Sequence, residues 1–83
     1  MGGGVIRIRY WAAAKAAAGI AEEQVEPAGS LAAVLEVARE RHGSRLAAVL
    51  ERCSFLVDGQ QAAPDAPLRD GAVVEVLPPF AGG

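Results

Sequence analysis

Only one stretch of this sequence carries a full apolar helical stripe, and that restricts the architecture more than any other feature. Leu31, Val34, Leu35 and Ala38 fall at i, i+3, i+4 and i+7, with Glu36, Arg39 and Glu40 on the far face. A helix with a single stripe buries it against one surface, so one face of a sheet must receive it. Ser30 is a good N-cap for this helix. Arg41-His42-Gly43 ends it, with basic residues in the last turn, where the helix dipole favours them, and glycine just beyond.

The rest of the chain supplies the sheet. Val5-Ile6-Arg7-Ile8-Arg9-Tyr10 alternates at period two, with Ile6, Ile8 and Tyr10 on one face and Arg7 and Arg9 on the other. Ala72-Val73-Val74-Glu75-Val76-Leu77 is an equally clear late strand, which Pro78-Pro79 forbids from continuing. These two strands are the most apolar, which suits central positions paired in parallel. Residues 20–26 read as an edge strand whose Glu22, Glu23 and Glu26 form a solvated rim that discourages edge-to-edge pairing. Residues 53–57 are a further strand, followed by the two-residue turn signal Asp58-Gly59.

Between these strands, residues 11–18 make a short alanine-rich helix stopped by Gly19, too short to stand without the sheet. Leu46 to Glu51 fits a further turn or two of helix. Pro64-Asp65-Ala66-Pro67 is loop, and Leu68-Arg69-Asp70-Gly71 is a second turn. The expected order is strand, short helix, strand, main helix, strand, strand. That describes an α+β roll, with a mixed sheet and the main amphipathic helix on one face.

Composition narrows the function. With 83 residues there is room for one small domain. Alanine supplies 18 of the apolar residues, so the core must be thin and closely packed. A formal charge of −2 argues against a phosphate-gripping module, and no nucleic-acid partner is expected. One cysteine excludes an intramolecular disulfide framework and a Cys-rich zinc site, and no metal is expected. No apolar run reaches the ~18–20 residues of a membrane span. Met1-Gly2-Gly3-Gly4 lacks the layout of a signal peptide, so a cytoplasmic setting is expected. Residues 1–4 read as a flexible leader, 5–77 as the domain and 78–83 as a projecting tail.

The usual catalytic groups are sparse. His42, the one histidine, sits where it is most simply a partner for the helix dipole, and Cys53 reads as a small core hydrophobe. The leading glycines have no preceding strand and are not a phosphate loop. A self-contained active site and a bound cofactor are therefore not expected.

The C-terminus differs. Pro78-Pro79-Phe80-Ala81-Gly82-Gly83 follows directly on a strand, and two prolines favour an extended exit away from the sheet. Gly82 and Gly83 carry no Cβ and can pass a narrow channel. A glycine carboxylate is also the least hindered acyl group a protein can present. Its chemistry is limited until activated, because the carboxylate carbon is resonance-protected and has no good leaving group. Transfer to AMP makes a mixed anhydride, and attack by sulfur then gives a thiocarboxylate at the tip of an arm, which turns diffusible sulfide into local delivery.

At this point the sequence resembles the MoaD family, the small sulfur-carrying subunit of molybdopterin synthase, within the ubiquitin-like β-grasp superfamily. The similarity runs over essentially the whole chain from Val5. It is carried by Tyr10-Trp11-Ala12-Ala13-Ala14-Lys15, the Asp58-Gly59 turn, Leu68-Arg69-Asp70-Gly71, and above all Val76-Leu77-Pro78-Pro79-Phe80-Ala81-Gly82-Gly83. The resemblance implies a β-grasp fold in which Gly83 becomes an acyl-adenylate and then a thiocarboxylate, with Gly82 and Ala81 in the channel. It implies a MoeB-like adenylyltransferase that uses ATP, a sulfurtransferase as sulfur source, and a MoaE-like large subunit. Sulfur would go to cyclic pyranopterin monophosphate in molybdenum cofactor biosynthesis.

Phe80, Trp11 and Leu77 would belong to the partner interface. Trp11 stands where the family usually has phenylalanine, Leu77 where an aromatic is common, Lys15 where arginine is frequent and Phe80 where a smaller aliphatic is common. For Trp11 and Leu77, packing in the core remains an open alternative. Two other functions stay open as well: a ThiS-like carrier for thiamin or cysteine synthesis, and a ubiquitin-like protein modifier.

Overall fold

The computed structural model describes residues 4–79. Its elements are β1 (Ile6–Tyr10), α1 (Ala12–Ala18), β2 (Glu22–Val25), α2 (Leu31–His42), α3 (Ser44–Leu50), β3 (Ser54–Val57), β4 (Gln60–Gln61) and β5 (Val73–Leu77). The strands form one mixed sheet in the order β2-β1-β5-β3-β4. The central pair, β1 and β5, is parallel, with Ile8 opposite Val74 and Tyr10 opposite Val76, as the apolar character of both strands predicts. The other pairings are antiparallel.

Period-two alternation decides which side of the sheet receives the helices. Ile6, Ile8, Tyr10, Val25, Phe55, Val74 and Val76 point to one face and form a single apolar cluster with Ala14 of α1, Leu31, Val34, Leu35 and Ala38 of α2, and Leu46 and Leu50 of α3. Burying an aliphatic side chain of this size contributes about 1.5–3 kcal/mol, so this face carries most of the stabilisation. The three helices of the described residues all bury residues on it, so among those residues the opposite face of the sheet carries no helix.

The start of α2 shows how local chemistry and the late loop cooperate. Ser30 Oγ accepts the Ala33 amide at 3.2 Å, the expected cap. The Leu31 and Ala32 amides donate to Ala66 (2.9 Å) and Pro64 (2.8 Å), so loop 64–67 satisfies first-turn donors that a helix cannot satisfy itself. At the other end Gly43, at φ 80°, closes α2 by donating to Arg39 and starts α3 at once. The segment read as a turn or two of helix is therefore a separate helix, anchored by Leu46 and Leu50 one turn apart.

Strand β4 has no counterpart among the sequence expectations. Asp58 and Gly59 both have positive φ, 50° and 87°, the conformation of a tight turn whose twist matches the flanking strands. That turn sends Gln60 and Gln61 back along β3, although neither residue has strand character. The pairing comes from the turn, not from the side chains.

Candidate functional site

Strand β5 ends in the middle of the sheet. Trp11, just past β1, donates its amide to Val76 at 3.3 Å on one side, and Ser54 of β3 lies opposite Leu77 on the other. Pro78 is half-buried and Pro79 exposed, so the chain leaves the sheet at this point. The expected site residues Phe80, Ala81, Gly82 and Gly83 lie outside the described residues.

The helix-free face surrounds this exit. Alternation places Val73, Glu75 and Leu77 of β5, Ser54 and Leu56 of β3, and Arg7 and Arg9 of β1 on that face. Leu77 is therefore not a core residue: it is half-buried and faces away from the cluster that holds Val76. Trp11 is 43% exposed, which removes the alternative of core packing against the alanine-rich helix. The Arg9 guanidinium lies 5.4 Å from the centre of its ring, a favourable cation–π distance. Arg7 and Arg9 both reach Glu22, at 3.7 and 3.6 Å, but these exposed pairs contribute little to stability. The result is a mixed face on which Glu75 lies between Val73 and Leu77 and opposite Leu56, bordered by Arg7 and Arg9, with Trp11 beside the exit.

On the helix side the structure corrects the assignment of Glu23 to a solvated rim. Glu23 pairs with Ile8 on the inward register of β2, and its side chain is only 10% exposed. Its carboxylate accepts from the Tyr10 hydroxyl at 2.5 Å, from His42 Nε2 at 2.7 Å and from Arg41 Nη1 at 3.1 Å. Arg41 Nη1 also donates to the Gln24 carbonyl at 2.9 Å. Burial pushes the Glu23 carboxyl upward, but hydrogen bonds from Tyr10, His42 and Arg41 outweigh it and hold the group below its ordinary value. Burial, then the bond to Glu23, pushes the Tyr10 phenol far above its usual range.

His42 is thus more than a dipole partner. It also meets the Tyr10 ring edge-on, with centroids 6.0 Å apart. These groups consume one another's hydrogen-bonding capacity and staple edge strand β2 to the end of α2. Period two counted back from the buried Val25 would have turned Glu23 inward from the sequence alone.

Cys53 is half-buried, its thiol donates to the Val49 carbonyl at 3.2 Å, and burial raises its pKa. It borders an open groove of about 590 Å³ whose apolar floor includes Leu35, Leu50, Phe55 and Ala62. Among the described residues no group of three or more His, Cys, Asp and Glu could hold a metal ion. Among them, too, no helix is long and apolar enough to cross a membrane.

A mixed sheet with a parallel central pair and, among the described residues, helices on one face only defines a ubiquitin-like β-grasp domain. The chain belongs to the ThiS family, the sulfur-carrier branch of that fold, which matches residues 8–83. No curated protein matches it in sequence. Among solved structures it is similar to SAMP1 from Haloferax volcanii, with a TM-score of 0.85 and 20% identity over 96% of this chain and 100% of that one. It is also similar to a proposed molybdopterin converting factor subunit 1 from Pyrococcus furiosus, with a TM-score of 0.76 and 27% identity over 93% and 99%. A third likeness is to the complex of subunits 1 and 2 of the molybdopterin-converting factor from Helicobacter pylori, with a TM-score of 0.72 and 22% identity over 95% and 99%.

Proposed function

We propose that this protein is the sulfur-carrying small subunit of a molybdopterin synthase, with Gly83 as the group that is adenylated and then converted to a thiocarboxylate. The observation that carries this reading is that the match to the sulfur-carrier family extends through Gly82-Gly83. The domain contributes presentation and docking, and the acid–base and nucleotide chemistry comes from its partners. A MoeB-like enzyme supplies the adenylate from ATP, and a sulfurtransferase supplies the sulfur. A MoaE-like large subunit receives the tail with cyclic pyranopterin monophosphate. The Helicobacter pylori complex, in which a protein of this fold is joined to subunit 2, supports a large-subunit partner. Leu56, Val73 and Leu77, together with Trp11 beside the exit, suit contact with that subunit, because they are apolar, incompletely buried and continuous with the tail.

The test is intact mass after incubation with ATP, the activating enzyme and a sulfur source. The expected result is one sulfur in place of one oxygen, mapped to Gly83; an unchanged mass refutes the reading. The likeness to SAMP1, a small archaeal modifier protein, favours a second reading, in which Gly83 is joined by an amide bond to lysines of other proteins. Lysines of cellular proteins that carry residues 70–83 of this chain as a tryptic branch, and lose it when Gly83 is deleted, would select that alternative.

A further inference from the structure

Strand β3 has an edge that its neighbour β4 stops covering part-way. Asp58 donates its amide to Val73 at 2.8 Å, and β3 runs antiparallel to β5, so Leu56 and Ser54 turn their backbone groups toward β5. Phe55 and Cys53 turn theirs the other way, toward the β4 side. The Phe55 carbonyl accepts the Ala62 amide at 3.0 Å, and there the pairing ends. Continuing the register that sets Leu56 opposite Gln61 would bring Pro64 opposite Cys53, but proline has no N–H to donate. Instead the Pro64 carbonyl accepts the Ala32 amide at 2.8 Å, which carries the chain away from β3 to the start of α2. The Phe55 N–H and the Cys53 carbonyl are left without a backbone partner among the described residues.

The groove of about 590 Å³ opens along this uncovered edge, over an apolar floor that includes Leu35, Leu50 and Phe55. Two charged residues line it. Arg39 is paired with Glu36 at 3.2 Å. Glu51 is exposed and belongs to none of the ion pairs among the described residues, so the uncompensated charge on the groove is negative.

We infer that this edge binds an extended peptide segment of a partner protein, added as a strand parallel to β3, with apolar side chains on the groove floor and a lysine or arginine preceding them. In a parallel pairing, one residue opposite Ser54 donates to the Cys53 carbonyl and accepts from the Phe55 N–H, so a single residue satisfies both groups. The residues on either side of it turn toward the core face, as Cys53 and Phe55 do, and meet Leu35 and Leu50. Glu51 precedes Cys53 in the chain and marks the end where a parallel segment begins, which puts the cation first. A lipid or other small apolar molecule would cover the floor but leave both backbone groups unpaired and out of water. The groove is independent of the sulfur-carrier reading, because it needs neither the terminal carboxylate nor its activation.

The test titrates a blocked pentapeptide, lysine-isoleucine-threonine-isoleucine-glycine, into the full-length chain labelled with nitrogen-15. The Phe55 amide resonance should move saturably. Methylating the threonine amide removes the donor to Cys53 and should weaken binding by about 10-fold. Glutamate in place of the lysine should weaken it by about 3-fold, and a folded Glu51→Lys variant should reverse that order. No saturable movement at Phe55 up to the solubility limit of the peptide would overturn the proposal. So would undiminished binding of the methylated peptide, which would make the groove a pocket for apolar molecules. Tighter binding of the same peptide in reversed sequence would overturn the parallel pairing. Movement of Phe55 with protein concentration alone would give the edge to a second copy of the chain instead.

Discussion

Replacing Glu23 by Gln keeps the side chain's size and removes its charge, which isolates what the carboxylate does for the fold. Three donors converge on it, from Tyr10 at 2.5 Å, His42 at 2.7 Å and Arg41 at 3.1 Å. Arg41 is 42% exposed and keeps its bond to the Gln24 carbonyl, so its share of the loss is small. A hydrogen bond to a charged group contributes about 1.5–3 kcal/mol, and the glutamine carbonyl retains one acceptor, so the net cost is roughly 2–3 kcal/mol. For a domain of this size that lowers Tm by roughly 10–20 °C.

The pH dependence carries a sign. Because the folded carboxyl is held below its ordinary value of 4.5, its contribution is fully present above that value and is lost as pH falls through the lower folded value. Thermal unfolding followed by circular dichroism, wild type against Glu23→Gln, should show a constant gap near neutral pH that closes in acid. Equal Tm values near neutral pH would refute the staple. A gap that persists undiminished well below 4.5 would assign the loss to side-chain shape instead.

Tyr10→Phe removes one donor to the same carboxylate and should cost about 1–2 kcal/mol in urea denaturation. Combined with Glu23→Gln the losses should fall short of their sum, because both variants break one bond. Gly59→Ala places a Cβ at φ 87° in the Asp58-Gly59 turn and should destabilise by roughly 1–2 kcal/mol. Chemical denaturation should show the midpoint shifting with no change in slope. Leu77→Glu alters the helix-free face without touching the core, so stability should change by less than about 1 kcal/mol. Affinity for the proposed MoaE-like subunit, measured by titration calorimetry, should fall at least ~10-fold; unchanged affinity would remove Leu77 from the proposed interface.

Much of this protein was legible before folding was considered. The period-two runs Ile6-Ile8-Tyr10 and Val74-Val76 already separate a core face from an outer face. Leu31, Val34, Leu35 and Ala38 mark the helix that covers the core face, and Ser30 and Gly43 mark its ends. These features depend on residues close together in the chain, where side-chain spacing and backbone preference act directly. The glycine pair Gly82-Gly83 is visible in the sequence for the same reason, since the acyl chemistry proposed for it would depend on the terminal group itself.

What the tertiary structure alone decided involves residues far apart in sequence. Alternation along β2 turns Glu23 inward, but only the packing of α2 across the sheet brought His42 and Arg41 to it. The strand β4 exists because a tight turn returns two glutamines along β3, overriding their lack of strand preference. Pairing of Trp11 with Val76 set Trp11 beside the point where β5 ends, a juxtaposition that more than sixty intervening residues hide in the sequence. Local preference chose the elements, while register and packing chose which charges meet, because a charge leaves water only where another part of the chain supplies its hydrogen bonds.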